Sequence, residues 1–319
     1  MLLVLASPVL AGACALFVGA YGIAPTKVFD LLFHGRGVPE AAIVWDIRLP
    51  RILLAAIVGA ALAGSGATLQ AVFRNPLVDP FLLGISAGAA LGCALGIGFL
   101  PQIPLPLLAF VFGAVAVVLS WGVAGQTHGD TRLTLVLAGV VISALFTALV
   151  SLIKVVLDPQ RLQSIVFWLM GSFSLADWHH VAVALGGAVV GLGPVMFLRW
   201  RLNLLTLGDR EAESLGVDVR RLRLVLVAGT TLAAATAVSV CGIVGWVGLM
   251  VPHLIRLGFG PDNRRLFPLS LAGGATFLVV ADTMARSIAS WEVPVGVVTA
   301  LMGAPFFMLL MRRRAGWAP

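Results

Sequence analysis

From residue 81 to residue 129 the chain contains no Asp, Glu, Lys or Arg. No stretch of that kind can coat a water-facing surface, and it is too long for one helix through a bilayer, which takes about 20 apolar residues. It therefore holds two crossings. They divide at Pro101-Gln102-Ile103-Pro104-Leu105-Pro106, where proline removes backbone donors and forces a turn. The solvent for such a run is lipid, in which a helix satisfies its own backbone.

The same rule places further spans at 1–26, 52–73, 133–153, 181–198, 267–288 and 293–311. Residues 224–255 are again overlong, with His253 the only ionisable group, and Gly242, Gly245 and Gly248 supply a reversal between two spans. Ten spans result: an all-α polytopic membrane protein, with residues 1–319 forming a single transmembrane domain. The 11% of charged residues agrees, since a soluble domain carries about a quarter. The apolar N-terminal run has no Lys or Arg before it and reads as a retained span rather than an export signal. Gly84, Gly88, Gly92 and Gly96 form a stripe at four-residue spacing, which lets a second helix approach closely. Cys14, Cys93 and Cys241 lie in apolar runs and read as small buried core residues, not as a metal or disulfide set.

A net charge of +7 does not point to nucleic acid, because the arginines lie between apolar runs, where they orient a membrane protein. Ten spans put both termini on one side, and Arg312-Arg313-Arg314 assigns that side to the cytoplasm. Of the 21 Lys and Arg, seven (Lys27, Arg36, Arg48, Arg51, Lys154, Arg161 and Arg286) then fall outside, leaving 14 inside. Arg48, Arg51 and Arg286 sit at outer span ends and need a reason. Two readings stand: a local ion pair of Arg286 with Asp282 four residues earlier, or the docking of an acidic soluble partner.

Residues 202–223, LNLLTLGDREAESLGVDVRRLR, form the longest cytoplasmic insert. Gly208 and Gly216 bracket Asp209, Glu211 and Glu213, and Leu207, Ala212 and Leu215 are expected to share one short helical face. A solvated connector is one reading; a short amphipathic helix seated in another protein is the other.

No Gly-x-x-x-x-Gly-Lys-Ser/Thr loop, His-Glu-x-x-His helix or Gly-x-Ser-x-Gly elbow is present, so no catalytic residue, resident cofactor or metal site is assigned. His179 and His180 read as solvated interfacial residues. Asp282 is the one carboxylate clearly within a span, which supplies a proton relay poorly. A transport subunit driven from outside is favoured over an enzyme, with an ion-gradient-driven secondary transporter as the alternative.

Several stretches carry a resemblance: RLPR at 48–51, GAALAGSGATLQAVFRNPLVDPFLLGISAGAALG at 59–92, FWLMGSF at 167–173, LGDREAESLGV at 207–217, GIVGWVGLMVPHLIR at 242–256 and PVGVVTALMGAPFF at 294–307. In this order, over nearly the whole chain, they resemble the FecCD-type permeases of type II ABC importers for ferric siderophores, haem and cobalamin. The resemblance implies a homodimer, two cytoplasmic ATPase subunits that use ATP and Mg, and a periplasmic substrate-binding protein. It makes Leu207, Gly208, Glu211, Ala212, Leu215 and Gly216 similar to a coupling helix that meets the ATPase. Arg48, Arg51 and Arg286 are similar to arginines that dock the binding protein, Asn75 and Leu77 to a cytoplasmic gate, and 160–171 to a short helix at the pathway entrance. The 127–134 loop reproduces no gate pattern.

Overall fold

The computed structural model describes residues 1–19, 22–33, 38–125, 131–288 and 292–313, which are helical and contain no strand. In chain order the helices are α1 (Leu2–Phe17), α2 (Pro25–Phe33), α3 (Pro39–Ala42), α4 (Leu49–Phe73), α5 (Ile85–Gly98), α6 (Leu105–Ala124), α7 (Thr131–Val156), α8 (Pro159–Leu169), α9 (Trp178–Leu207), α10 (Asp209–Ser214), α11 (Val219–Cys241), α12 (Val247–Phe259), α13 (Asn263–Ala285) and α14 (Val295–Arg313). A π-helical stretch, Ile43–Arg48, joins α3 to α4, and a short 3-10 turn, Pro80–Leu83, precedes α5.

Nine of the ten expected spans are each carried by one helix, while the first, placed at 1–26, is α1 only as far as Phe17 and runs into the start of α2 at Pro25. Among the described residues, six helices are long and apolar enough to cross a membrane, and four shorter apolar ones (Leu2–Phe17, Ile85–Gly98, Val247–Phe259 and Val295–Leu310) accompany them. The centre is α4, whose apolar window is 78% buried and which packs against α13, α9, α11, α12 and α1. Glycine makes these approaches possible. A methyl on Gly88 or Gly92 of α5 would overlap the α6 carbonyls of Phe112 and Leu108, and Gly59 of α4 meets Gly274 of α13 in the same way. Gly88 and Gly92 thus do what the four-residue spacing predicts, backbones close to van der Waals distance where lipid offers no hydrophobic drive, whereas Gly84 lies before α5 with φ 89° and Gly96 meets only leucine side chains.

Loop aspartates set the helix starts. Asp79, Asp158, Asp177, Asp218 and Asp262 each accept a backbone N–H at the N-terminus of the following helix, satisfying donors that the helix cannot. This explains why so few carboxylates serve so many turns.

Two expectations need correction. Helix α9 runs to Leu207 rather than stopping at 198, and α11 starts at Val219, so the insert placed at 202–223 is a loop only over 208–218. Charged residues end the hydrocarbon zone, but arginine is a good helix former and does not end the helix. Trp178 and Trp200, both half-exposed on α9, lie about 33 Å apart along it, close to the hydrocarbon thickness that interfacial tryptophans bracket. Cys14 is exposed on peripheral α1, whereas Cys93 and Cys241 are buried as expected. Arg36, Arg314 and positions 127–130 of the loop at 127–134 lie outside the described residues.

Candidate functional site: the two polar ends of the bundle

One polar cluster forms where α4 begins and α13 ends. Arg51, in the first turn of α4, donates Nε to both oxygens of Asp282 at 3.1 and 3.0 Å and Nη2 to Oδ1 at 2.8 Å. The same Nη2 lies 2.6 Å from Glu292 Oε1. Asp282 is 1% exposed, and a carboxylate so buried persists only when paired this closely. The neighbouring arginines turn to α1: Arg48 Nη1 donates to the Leu16 carbonyl at 2.6 Å, and Arg286 Nη2 to that of Ala15 at 2.7 Å. Those carbonyls belong to the last turn of α1, where the helix lacks its own donors and carries partial negative charge. The π-helical stretch delivers Arg48 there.

The three arginines singled out from the sequence are thus brought together. They face largely inward: Arg48 is 3% exposed, and the side chains of Arg51 and Arg286 are 13% and 10% exposed. The expected pair of Arg286 with Asp282 is a loose one, with Nε 4.0 Å from Oδ2. Sequence spacing could not show that Arg51, 231 positions away, takes the carboxylate first.

The other cluster lies at the opposite end, around the loop at 208–218. Gly208 begins it with φ 152°, and a side chain there would overlap the Glu211 carboxylate. Helix α10 closes at Gly216, φ 81°, whose N–H reaches Glu213 while that of Val217 reaches Ala212, a glycine C-cap with paired backbone bonds. Ala212 is fully buried, but Leu207 and Leu215 are 61% and 59% exposed. The expected shared face is therefore split, because the helix breaks at Gly208: Leu207 is the last residue of α9, Ala212 anchors α10 to the bundle, and Leu215 projects at the C-cap of α10.

Arg74 ties this loop to α4. It is the C-cap of α4 in a left-handed conformation, φ 51°, with Nε donating to the Leu205 carbonyl at 2.7 Å and Nη2 pairing with Asp209. The second Asp209 oxygen accepts from Arg223 Nη2 at 2.9 Å. Directly after Arg74, Asn75 Oδ1 accepts the Leu77 N–H at 2.9 Å, an Asx turn that leaves Leu77 exposed. Gln70, 3% exposed, donates to the carbonyls of Val78 and Gly248 at 3.3 and 3.2 Å and accepts from Arg256 Nη2 at 2.8 Å. A cleft of about 660 Å³ opens here, lined by Gln70, Arg74, Asn75, Asn203, Arg256 and Asp262 among others. Gln70, Arg74, Asp209 and Arg223 were not selected from the sequence. A glutamine in an apolar span and an arginine directly before Asn-Pro are the signals that mark the first two.

At the rim of the cleft, Asp262 caps α13. The Arg264 N–H and the Asn203 side-chain amide hold its carboxyl below the usual range. A group with a lowered folded pKa stabilises fully above its unfolded value and loses that contribution as pH falls through the folded one. Asp262→Ala is thus expected to lower the unfolding temperature in detergent by about 2–4 °C at neutral pH. The gap should close as pH falls below about 3.9. A pH-independent difference would show that the charged cap contributes nothing.

His180 Nδ1 and N–H both meet Asp177 Oδ1 at 2.7 Å, at the N-terminus of α9. The N–H in particular holds the Asp177 carboxyl below its ordinary value. His180 therefore belongs to a helix cap, with His179 packed edge-on beside it. Among the described residues, no group of three or more His, Cys, Asp and Glu gathers as a metal site would require.

A sequence profile described as the FecCD transport family matches residues 5–313. The chain is similar to the iron chelatin transport system permease protein of Helicobacter pylori, 46% identical over 86% of this chain and 83% of that one. It is also similar to the cobalamin import system permease protein of Halobacterium salinarum, 44% identical over 87% of this chain and 76% of that one. Among solved structures it matches a metal-chelate type ABC transporter in an inward-facing conformation, with TM-score 0.87, 35% identity and 97% of each chain covered.

Proposed function

The chain belongs to the FecCD transport family of ABC importer permeases, and from that premise we propose that it carries an iron chelate inward, powered by a separate ATPase. A ferric siderophore is the first choice of cargo, then haem, then a corrinoid. The observation that carries the reading is the loop at 208–218 and the residue before it: Leu207 at the end of α9 and Leu215 at the end of α10 are both exposed, and α10 is locked to the bundle through Ala212 and Asp209. That is a rigid handle for an external motor. Two copies pair around the pathway in the bacterial inner membrane, with both termini and this loop in the cytoplasm, each copy's loop meeting one of two ATPase subunits. The turn holding Asn75 and Leu77 acts as the inner gate.

At the outer end, Arg48, Arg51 and Arg286 receive the periplasmic binding protein. Arg51 meets the carboxylates of Asp282 and Glu292 while Arg286 lies beside it with only a loose approach to Asp282, a grouping of guanidiniums that suits an acidic partner surface. Against an ion-gradient mechanism stands the engagement of Asp282: a carboxylate held by two hydrogen-bonding arms of Arg51 is a poor proton carrier.

The test is uptake by proteoliposomes rebuilt with the ATPase and binding protein, offered a ferric siderophore, hemin and cyanocobalamin in turn. ATP-dependent uptake of the ferric siderophore above the other two is the expected result. Uptake without nucleotide would overturn the mechanism, and preference for cyanocobalamin would overturn the cargo.

A further inference from the structure

We infer that Arg74 is the positioning residue through which the loop at 208–218 moves the turn at 75–77. The inference rests on the coupling and gate roles proposed above, and supplies the mechanical link between them.

Three features meet in this side chain. First, Arg74 is one of two non-glycine residues with positive φ among the described residues. A left-handed arginine fixes the direction in which the chain leaves α4, and the next residue is Asn75, whose side chain builds the turn that presents Leu77. Second, its guanidinium bridges two elements at once: Nε binds the Leu205 carbonyl in the last turn of α9, and Nη2 binds the carboxylate of Asp209, the first residue of α10. Third, Asp209 is held from the far side by Arg223 of α11, so that it cannot shift without pulling on both arginines. The end of α9, the start of α10 and the start of α11 therefore converge on a residue bonded covalently to the gate turn. A push on Leu207 or Leu215 reaches Asn75 through one guanidinium.

The geometry also says why arginine is needed. Its planar fork reaches a carbonyl and a carboxylate in fixed relative directions, and a glutamine at the same position keeps the backbone but cannot bridge both. Gate movement should then separate from ATP turnover.

The experiment uses the permease assembled with its ATPase in nanodiscs. Exposed Cys14 is replaced by alanine and the gate reports through Leu77→Cys, labelled with a membrane-impermeant maleimide with and without ATP and Mg. In this parent, nucleotide is expected to change the labelling rate. Adding Arg74→Gln should cut that change about tenfold while ATP hydrolysis continues. Asp209→Asn, which removes the other partner, should do the same, and the double variant should be no worse than either alone, as expected for two ends of one link. A variant Arg74→Gln that keeps the full nucleotide response overturns the inference and leaves the gate in place, as do additive losses in the double variant. A parent whose Leu77→Cys does not respond to nucleotide overturns the gate reading itself, and the inference with it. If Arg74→Gln does not assemble, Asp209→Asn decides in its place: a full response there overturns the link.

Discussion

Replacing Asp282 by asparagine is expected to cost about 3–5 kcal/mol of stability, the penalty for stripping one partner from a buried ion pair. Asparagine fits the space but brings no charge, and Arg51, turned inward beside Arg48 and Arg286, would keep only Glu292 as its counter-ion. The effect should reach further than α13, because the neighbouring arginines hold the last carbonyls of α1. Thermal unfolding of the purified protein in detergent measures the loss. Adding Arg51→Gln to Asp282→Asn should recover part of it, since the unpaired charge is then gone. An Asp282→Asn protein that melts with the parent would mean that these guanidiniums are solvated and need no counter-ion.

Leu215→Asp should weaken association with the ATPase about thirtyfold or more, roughly 2 kcal/mol, while leaving the fold intact. Leu215 is 59% exposed and takes no part in the network around Asp209, so a charge there alters the surface alone. Glu211 is a poorer target, because its carboxylate packs over Gly208 and reversing its charge would disturb the loop. Binding of the separately purified ATPase to immobilised permease gives the affinity. Unchanged affinity would remove the loop from that contact.

What the sequence could reveal depended on the range of the interaction. The spans were legible because exclusion of charge from lipid acts residue by residue, and the glycine stripe because helical spacing is local. The end of α9 was not: Arg199 and Arg201 mark where lipid stops, and a helix can go on in water. Ala212 does not share a face with Leu207 and Leu215 because helical periodicity assumes one continuous helix, whereas the break at Gly208 leaves Leu207 on α9 and the other two at α10. The grouping of Arg48, Arg51 and Arg286 was accessible through resemblance, but their inward orientation depends on contacts with Asp282 and α1 that only tertiary packing creates. Gln70, joined to α12 across 178 and 186 positions, left no local trace beyond being polar in an apolar run.

The unbroken course of α9 has a mechanical corollary. Past Trp200 it continues to Leu207 as helix, about 10 Å of rod seated on the bundle through Leu202 and Leu205. A rod keeps its phase. Inserting a single residue beyond Trp200 would advance Leu207 by about 1.5 Å and swing it through roughly 100°, moving it off the side where Leu205 meets Arg74. The length of that stem, as much as the chemistry of its tip, is therefore fixed, and shortening or lengthening it should be tolerated only in steps near a whole helical turn.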